Sequence, residues 1–322
     1  MFDVVCLGEA LVDFLPSKRG ARVREVSNWT PCLGGAPANV AVGLSRLGAR
    51  SAIVGVTGDD EFGHFLRGGL KREGVDVRFM RQTREGKTGL GFVSLTHDGE
   101  RSFTFYRERA AETFLCTTDT RGARKLLDSA KVVHVGTNSL IHPEAREAVL
   151  EAVQRAHSRG QITSTDPNLR LHLWKDPSIL KRLLAKLFAS CAVVKLSEDE
   201  IEFVTGTKNT GKALHWLEKK GVQIAIVTRG ADGASIAFEG ERIDVPARRV
   251  KVVDTTGAGD GFMAGFLYGL TRHYDSREDL ESNGDHDALE GHARFGCVVG
   301  SHVVTKLGAV AGLPKLKQLI RS

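Results

Sequence analysis

The sequence predicts an α/β protein: a mostly parallel central β-sheet flanked by helices, with a small β lid beside it. Three observations carry that expectation. Apolar runs of strand length, such as Val4–Leu7, Ser51–Val56 and Val132–Val135, alternate with amphipathic stretches such as Asp59–Arg72. The segment 88–106 alternates polar and apolar residues around His97-Asp-Gly-Glu100. That is a hairpin pattern, and its exposed polar positions do not suit a buried parallel sheet. Finally, Asp254-Thr-Thr-Gly-Ala-Gly-Asp260 opens an apolar run of helical length, a start that suits an anion.

Composition sets outer limits. The 322 residues suit one large domain or two small ones, and no repeat, linker or low-complexity tail marks a second domain, so residues 1–322 read as one. No apolar run approaches the ~18–20 residues of a membrane span. Met1-Phe-Asp-Val-Val-Cys6 reads as a buried strand rather than a signal peptide. The five cysteines (Cys6, Cys32, Cys116, Cys191, Cys297) are scattered, without a C-x-x-C pair. Neither a disulfide framework nor a zinc site is indicated, and a reducing cytoplasm is expected. The net charge of +6 is spread over the chain, without a basic block or interleaved aromatics. Nucleic-acid binding is therefore not expected, whereas an anionic small molecule accounts for part of the excess.

In chain order, Val4–Leu7 is a strand stopped by Gly8-Glu9. Asp13 is expected just beyond the strand, where open α/β sheets place ligand groups. Residues 14–32 read as irregular and polar. Gly34-Gly35 then lets the backbone pass close to a ligand, with Asn39 one turn into the helix Pro37–Leu47. Ser51–Val56 is a strand, and Asp59 or Asp60 caps the helix to Arg72. The segments 14–32 and 88–107 are placed together in the lid. Val132–Val135, Pro143–His157 and Ile162–Ser164 form a β-α-β alternation, hence parallel strands with right-handed crossovers.

Further on, Asp166-Pro-Asn168-Leu-Arg170 offers an arginine able to hold a phosphate in two places or to pair with Asp166. Ala192–Leu196 is a strand, after which Ser197 is a good helix cap. Gly206–Ala213 nearly spells a phosphate-binding P-loop. Ala213 replaces the required Ser/Thr, however, and no strand precedes it, so it reads as a turn between helices. Val222–Thr228 is a strand, 257–272 a helix, Asp275–Asp287 a polar loop and Ala288–Val304 a helix. Small residues on that last helix (Gly296, Cys297, Gly300, Ser301) permit close approach of an adenine or of another helix.

Residues 257–259 are Gly-Ala-Gly at the start of a helix. Glycines let backbone N–H groups approach closely, and the first N–H groups of a helix lack internal partners. Gly257, Ala258 and Gly259 thus suit a phosphate or its transfer charge. Asp260 is placed to take a proton from a hydroxyl and aim it at phosphorus. An Asp in the first turn of a helix also has a purely stabilising use.

Asp254–Asp260 resembles the C-terminal signature of the ribokinase-like (PfkB) carbohydrate kinases, and Gly34-Gly-Ala-Pro-Ala-Asn-Val-Ala41 is similar to their N-terminal signature. The resemblance runs from about Val4 to about Gly312 and implies a ribokinase-like fold. It implies that Asp13, Gly34, Gly35 and Asn39 hold a sugar, with Phe105 and Arg107 of the lid and Arg170. Phe105 also suits lid packing, and Arg107 pairing with Glu108 or Glu112. It implies that ATP lies against Asn168, Lys195, Ser197, Thr228, Gly230, Gly233, Gly257, Gly259, Cys297 and Ser301. Glu200 would organise Mg²⁺ through water, in a motif where Ser197 replaces the usual Asn. Asp254 and Thr256 match a potassium site of some members, and lids of this family often pair two subunits into a homodimer.

Asp166-Pro-Asn-Leu-Arg170 resembles both fructokinases and 2-keto-3-deoxygluconate kinases, and Leu171-His-Leu-Trp174 looks closer to the fructokinases. The expected reaction is ATP-dependent phosphorylation of a hexose, foremost fructose to fructose 6-phosphate. The acid sugar is the alternative. A non-catalytic fructokinase-like binding protein should have lost Asp260 or the glycines, and both are present. A dinucleotide oxidoreductase lacks its G-x-G-x-x-G here.

Overall fold

The computed structural model describes residues 1–18, 20–95 and 101–319. The turn His97-Asp-Gly-Glu100 lies outside the described residues. Strands β1 (Phe2–Leu7), β2 (Leu11–Pro16), β3 (Trp29–Gly34), β4 (Ser51–Gly58) and β5 (Met80–Thr83) come first. They are followed by β6 (Leu90–Leu95), β7 (Arg101–Tyr106), β8 (Ala130–Gly136) and β9 (Ile162–Asp166). Then come β10 (Val193–Ser197), β11 (Ile224–Thr228), β12 (Ala234–Phe238) and β13 (Glu241–Val245).

Nine of them form one sheet in the order β13-β12-β11-β10-β9-β8-β1-β4-β5. It is parallel from β5 to β11 and antiparallel only at the β12–β13 edge. Both faces are covered, which explains the unbroken apolar runs. Along β1, Val4 and Cys6 join one core and Val5 and Leu7 the other. The first core packs under the helices Ala36–Leu47, Ala258–His273 and His286–Val303. The second packs under Pro143–Ser158, Pro177–Phe188 and Thr210–Glu218. From β1 the chain proceeds to β4 and β5 on one side, then returns to β8 on the other. The strand order therefore reverses between β1 and β8, and a crevice opens at their carboxyl ends, where such sheets bind ligands.

A second sheet, β3-β2-β6-β7, stands apart from the first. It corrects the expectation for Asp13, which lies inside β2, paired with Cys32 of β3, rather than just past a strand. Gly8-Glu9 is the break that lets the chain leave one sheet for the other; Gly8 has φ 148°. Residues 14–32 are also less irregular than expected, since β3 occupies their end. The pairing of β6 with β7 agrees with the hairpin expectation, Leu90 facing Tyr106 and Leu95 facing Arg101.

Other differences have local causes. The polar loop at 275–287 contains a helix, Arg277–Asn283, capped by the Ser276 side chain accepting from the Asp279 N–H. The β12–β13 hairpin turns through Glu239 and Gly240, both at positive φ, without the Asn-Gly or Asp-Gly signal that marks such turns. Gly206–Ala213 joins the helices Glu198–Thr205 and Thr210–Glu218, with Asn209 capping the second, so it is not a phosphate loop.

Candidate active site

The crevice holds a cavity of about 300 Å³. Each part of its wall comes from the end of a strand or the start of a helix. Asp260 enters from the first turn of Ala258–His273, whose N-cap is Gly257 at φ 76°. A Cβ at Gly257 would fall 2.4 Å from the Ala309 Cβ, and one at Gly259 would fall 2.8 Å from the Lys195 ammonium. Neither position accepts a side chain without displacing its neighbours. Within the turn, the Ala258 N–H reaches back to the Thr255 carbonyl at 3.2 Å.

Asp260 is 6% exposed, and its Oδ2 accepts a 2.8 Å hydrogen bond from the Asn39 amide. Burial pushes its pKa up to about 7; Asn39 opposes the shift, Asp166 adds to it, and Lys195 and Arg170 oppose it. Asp13 faces the same cavity at 8% exposure. Its pKa is likewise raised to about 7, by burial and then by the charge of Asp260. Asp13 is wedged between glycines of the two flanking strands. A Cβ at Gly34 would fall 2.3 Å from its Oδ2, and one at Gly91 2.8 Å from its Oδ1. Gly34 thus makes room for Asp13 and does not itself line the cavity, whereas Gly35 does.

On the opposite wall, Asp166 at the end of β9 pairs with Lys195 of β10 at 2.8 Å, both buried. Burial works against the Lys195 charge, but Asp166, Glu200 and Asp260 outweigh it and hold its pKa above the ordinary value. Asp166 is therefore the partner of Lys195, not of Arg170. Arg170 donates to the carbonyls of Asn168 and Leu169 instead and keeps its place on the cavity wall. Asn168 also lines the cavity, in a left-handed conformation at φ 45°. Glu200 accepts from the backbone N–H of Leu169 at 2.5 Å and of Ser197 at 2.7 Å. It ties the ends of β9 and β10 together, with Ser197 as the N-cap of Glu198–Thr205.

Phe105 and Arg107 reach the cavity from β7 and just beyond it. Arg107 donates from Nε to Glu112 at 2.8 Å, which settles its partner among the nearby carboxylates. Its guanidinium lies 5.7 Å from the Phe105 ring centre. Phe105 itself stacks near His172 at 6.4 Å.

A second cavity, about 600 Å³, adjoins the first across Thr255, Ala258 and Gly259. Thr228, Gly230, Gly233, Cys297 and Ser301 line it, with Phe262 and Val252 as apolar walls. The small residues of His286–Val303 serve two purposes. A Cβ at Gly296 would fall 2.9 Å from the Phe262 carbonyl, so Gly296 permits helix packing, while Cys297 and Ser301 border the cavity. Thr256 lines the first cavity; Asp254 lines neither. The Asp254 carboxyl accepts from the Thr256 N–H and hydroxyl and from the Gly308 N–H, which closes this loop.

Glu9, Asn138 and Asp166 also line the first cavity, and none was a site candidate from sequence. Each stands at or just past the end of a sheet strand beside the reversal in strand order. Only the topology brings them together.

Two cavities joined at a helix start, with a buried carboxyl lining the smaller one just past the shared residues, suit a phosphotransferase for a small hydroxylated acceptor. The chain belongs to the pfkB family of carbohydrate kinases, which it matches over residues 1–316. It is 38% identical to fructokinase-2 of Solanum lycopersicum over 318 residues, 98% of this chain and 94% of that one. The structure of a fructokinase with bound ATP from Xylella fastidiosa superposes with a TM-score of 0.88 at 33% identity, covering 99% of this chain and 97% of that one. A fructokinase from Vibrio cholerae O395 in fructose-, ADP- and calcium-bound form gives 0.87 at 31% identity, covering 99% and 98%.

Proposed function

We propose that this carbohydrate kinase is an ATP-dependent fructokinase, moving the terminal phosphoryl group of ATP to the primary hydroxyl of fructose to give fructose 6-phosphate. The observation that carries the reading is the place of Asp260: buried, held by Asn39, and lining the smaller cavity next to Ala258 and Gly259, which border both cavities. A base whose pKa lies near neutrality is suited to taking a hydroxyl proton at physiological pH. The sugar occupies the smaller cavity against Asp13, Gly35, Asn39, Phe105 and Arg107. The adenosine lies in the larger cavity against Thr228, Gly230, Gly233, Cys297 and Ser301. The helix start at Gly257–Gly259 stabilises the charge developing on the phosphoryl group, aided by Lys195 and Arg170.

The donor site fits a magnesium nucleotide. Among the described residues no group of three or more His, Cys, Asp or Glu is placed to hold a metal by itself. The ion would therefore rely on the nucleotide phosphates. Asp166 Oδ1, buried with no hydrogen-bond partner among the described residues, is the carboxylate oxygen available to it, and Glu200, whose two oxygens already accept backbone N–H groups, would act through water. When bound, Mg²⁺ neutralises phosphate charge. A potassium ion would draw on the negative charge of buried Asp254 and on Thr256.

Arg107 favours a neutral sugar over 2-keto-3-deoxygluconate, because Glu112 already engages it. An acid sugar would also bring its carboxylate toward Asp13. Two like charges at 4 Å repel by about 4 kcal/mol at the effective dielectric near a protein surface, enough to reverse a preference.

The small sheet is the lid, and its outer side is the homodimer face. Phe14 and Phe92 stack at 4.8 Å, Trp29 meets Phe92 edge-on at 5.1 Å, and Tyr106 is 64% exposed. A second copy is the partner that would cover these rings. Among the described residues no helix is long and apolar enough to cross a membrane, and the five cysteines are free. Both fit a protein of the cytoplasm. A panel of sugars with ATP tests the assignment. Fructose should give the highest kcat/KM, above 2-keto-3-deoxygluconate, and Asp13→Asn should lower it. A preference for the acid sugar that Arg107→Ala abolishes would show the other substrate class to be correct.

A further inference from the structure

One carboxyl in the smaller cavity has no task in the phosphoryl transfer. Glu9 follows β1 at the reversal in strand order and is 2% exposed. Its Oε1 accepts a 3.1 Å hydrogen bond from the amide of Asn138, the first residue of the short helix Asn138–Ile141 after β8. Its Oε2 is buried with no hydrogen-bond partner among the described residues, yet the side chain lines the cavity. The turn that carries it packs closely on Gly35, where a Cβ would lie 2.5 Å from the Glu9 carbonyl oxygen. Buried acceptors in folded proteins almost always have donors, and an exception at a cavity wall points to a ligand that brings one. The donors of a sugar are hydroxyls, and a carboxyl fixed by an amide accepts from one in a defined direction.

We infer that Glu9, oriented by Asn138, accepts a hydrogen bond from a sugar hydroxyl other than the one phosphorylated, and so selects which sugar binds productively. The inference rests on the sugar-kinase reading of the cavity. Arg107 strengthens it, since its guanidinium is held by Glu112 and stands within electrostatic reach of both Glu9 and Asp13. That wall therefore holds a fixed guanidinium before any ligand enters. Asp260 lies beside the helix start and handles the reacting hydroxyl; Glu9 reads another.

The test compares the wild type with Glu9→Gln on fructose and on monodeoxy-fructoses, each with ATP. Glu9→Gln should lower kcat/KM for fructose roughly 10–100-fold, the span for a buried polar group losing its partner, mainly through KM. One deoxy-fructose should suffer the same loss with the wild type and no further loss with the variant. Asn138→Ala, which leaves Glu9 in place but unheld, should weaken discrimination at that same hydroxyl. Equal discrimination across the whole panel by the wild type and both variants would overturn the inference while leaving the kinase reading intact. Absence of turnover with every sugar in the wild type would overturn both.

Discussion

Asp260 is a base only after it has lost its proton, and its surroundings decide at what pH that happens. Burial in the crevice lifts its pKa to about 7, and Lys195 and Arg170 restrain the rise. Asp13, also raised to about 7, feels the charge of Asp260, so the two carboxyls titrate as a pair. Below about pH 7 the pair gains protons, the base form declines, and kcat/KM for fructose should fall toward tenfold per pH unit. Removing a cation that lowers the Asp260 pKa must move this acid limb to higher pH. Lys195→Met should therefore shift the limb upward, and Lys195→Arg should restore it. Rate profiles of the three proteins from pH 5 to 9 would show this. Superimposable acid limbs would mean that Lys195 exerts no electrostatic control over the base.

At the scale of elements, the legible parts of the chain were those whose signal is local. The helix start at Gly257–Asp260 and the run Gly34–Asn39 each announce themselves within a few residues, and Asn39 proves to hold Asp260 directly. Strands buried on both faces were legible as apolar runs. The helix Arg277–Asn283 was missed although Ser276 and Asp279 carry its capping pattern, because the surrounding residues are polar. Asp13 lines the smaller cavity but sits inside β2 rather than just past a strand, since the sequence does not say that the chain changes sheet at Gly8-Glu9. The small sheet carries a prediction of its own. It has one side on the smaller cavity and on the other a half-buried aromatic cluster with Tyr106 exposed, so the empty protein should open it easily. Amide exchange in β6 and β7 should slow when fructose is added, with little change in β1 or β8. Equal exchange with and without sugar would remove the lid assignment.

The molecule as a whole places its chemistry by topology. Glu9, Asn138 and Asp166 are far apart in sequence and individually unremarkable; they converge because the strand order reverses between β1 and β8. Lys195, expected against the nucleotide, lines the smaller cavity and not the larger one, and its partner Asp166 emerges only in three dimensions. The raised pKa values of Asp13 and Asp260 also mean that the folded state holds more protons than the unfolded chain between about pH 4 and pH 7. Stability from these two groups is present at low pH and is lost as pH rises through that window. Replacing Asp260 by Asn removes one such buried charge and should not lower the melting temperature at pH 8. That makes Asp260→Asn a clean probe, because loss of turnover could not then be ascribed to unfolding. The most direct measurement is its kcat at pH 8 under saturating fructose and ATP, with nucleotide affinity determined alongside. The expected result is a fall of ~10²–10⁴ with ATP binding nearly unchanged, as for a positioned general base; wild-type turnover would mean that Asp260 only stabilises the start of its helix.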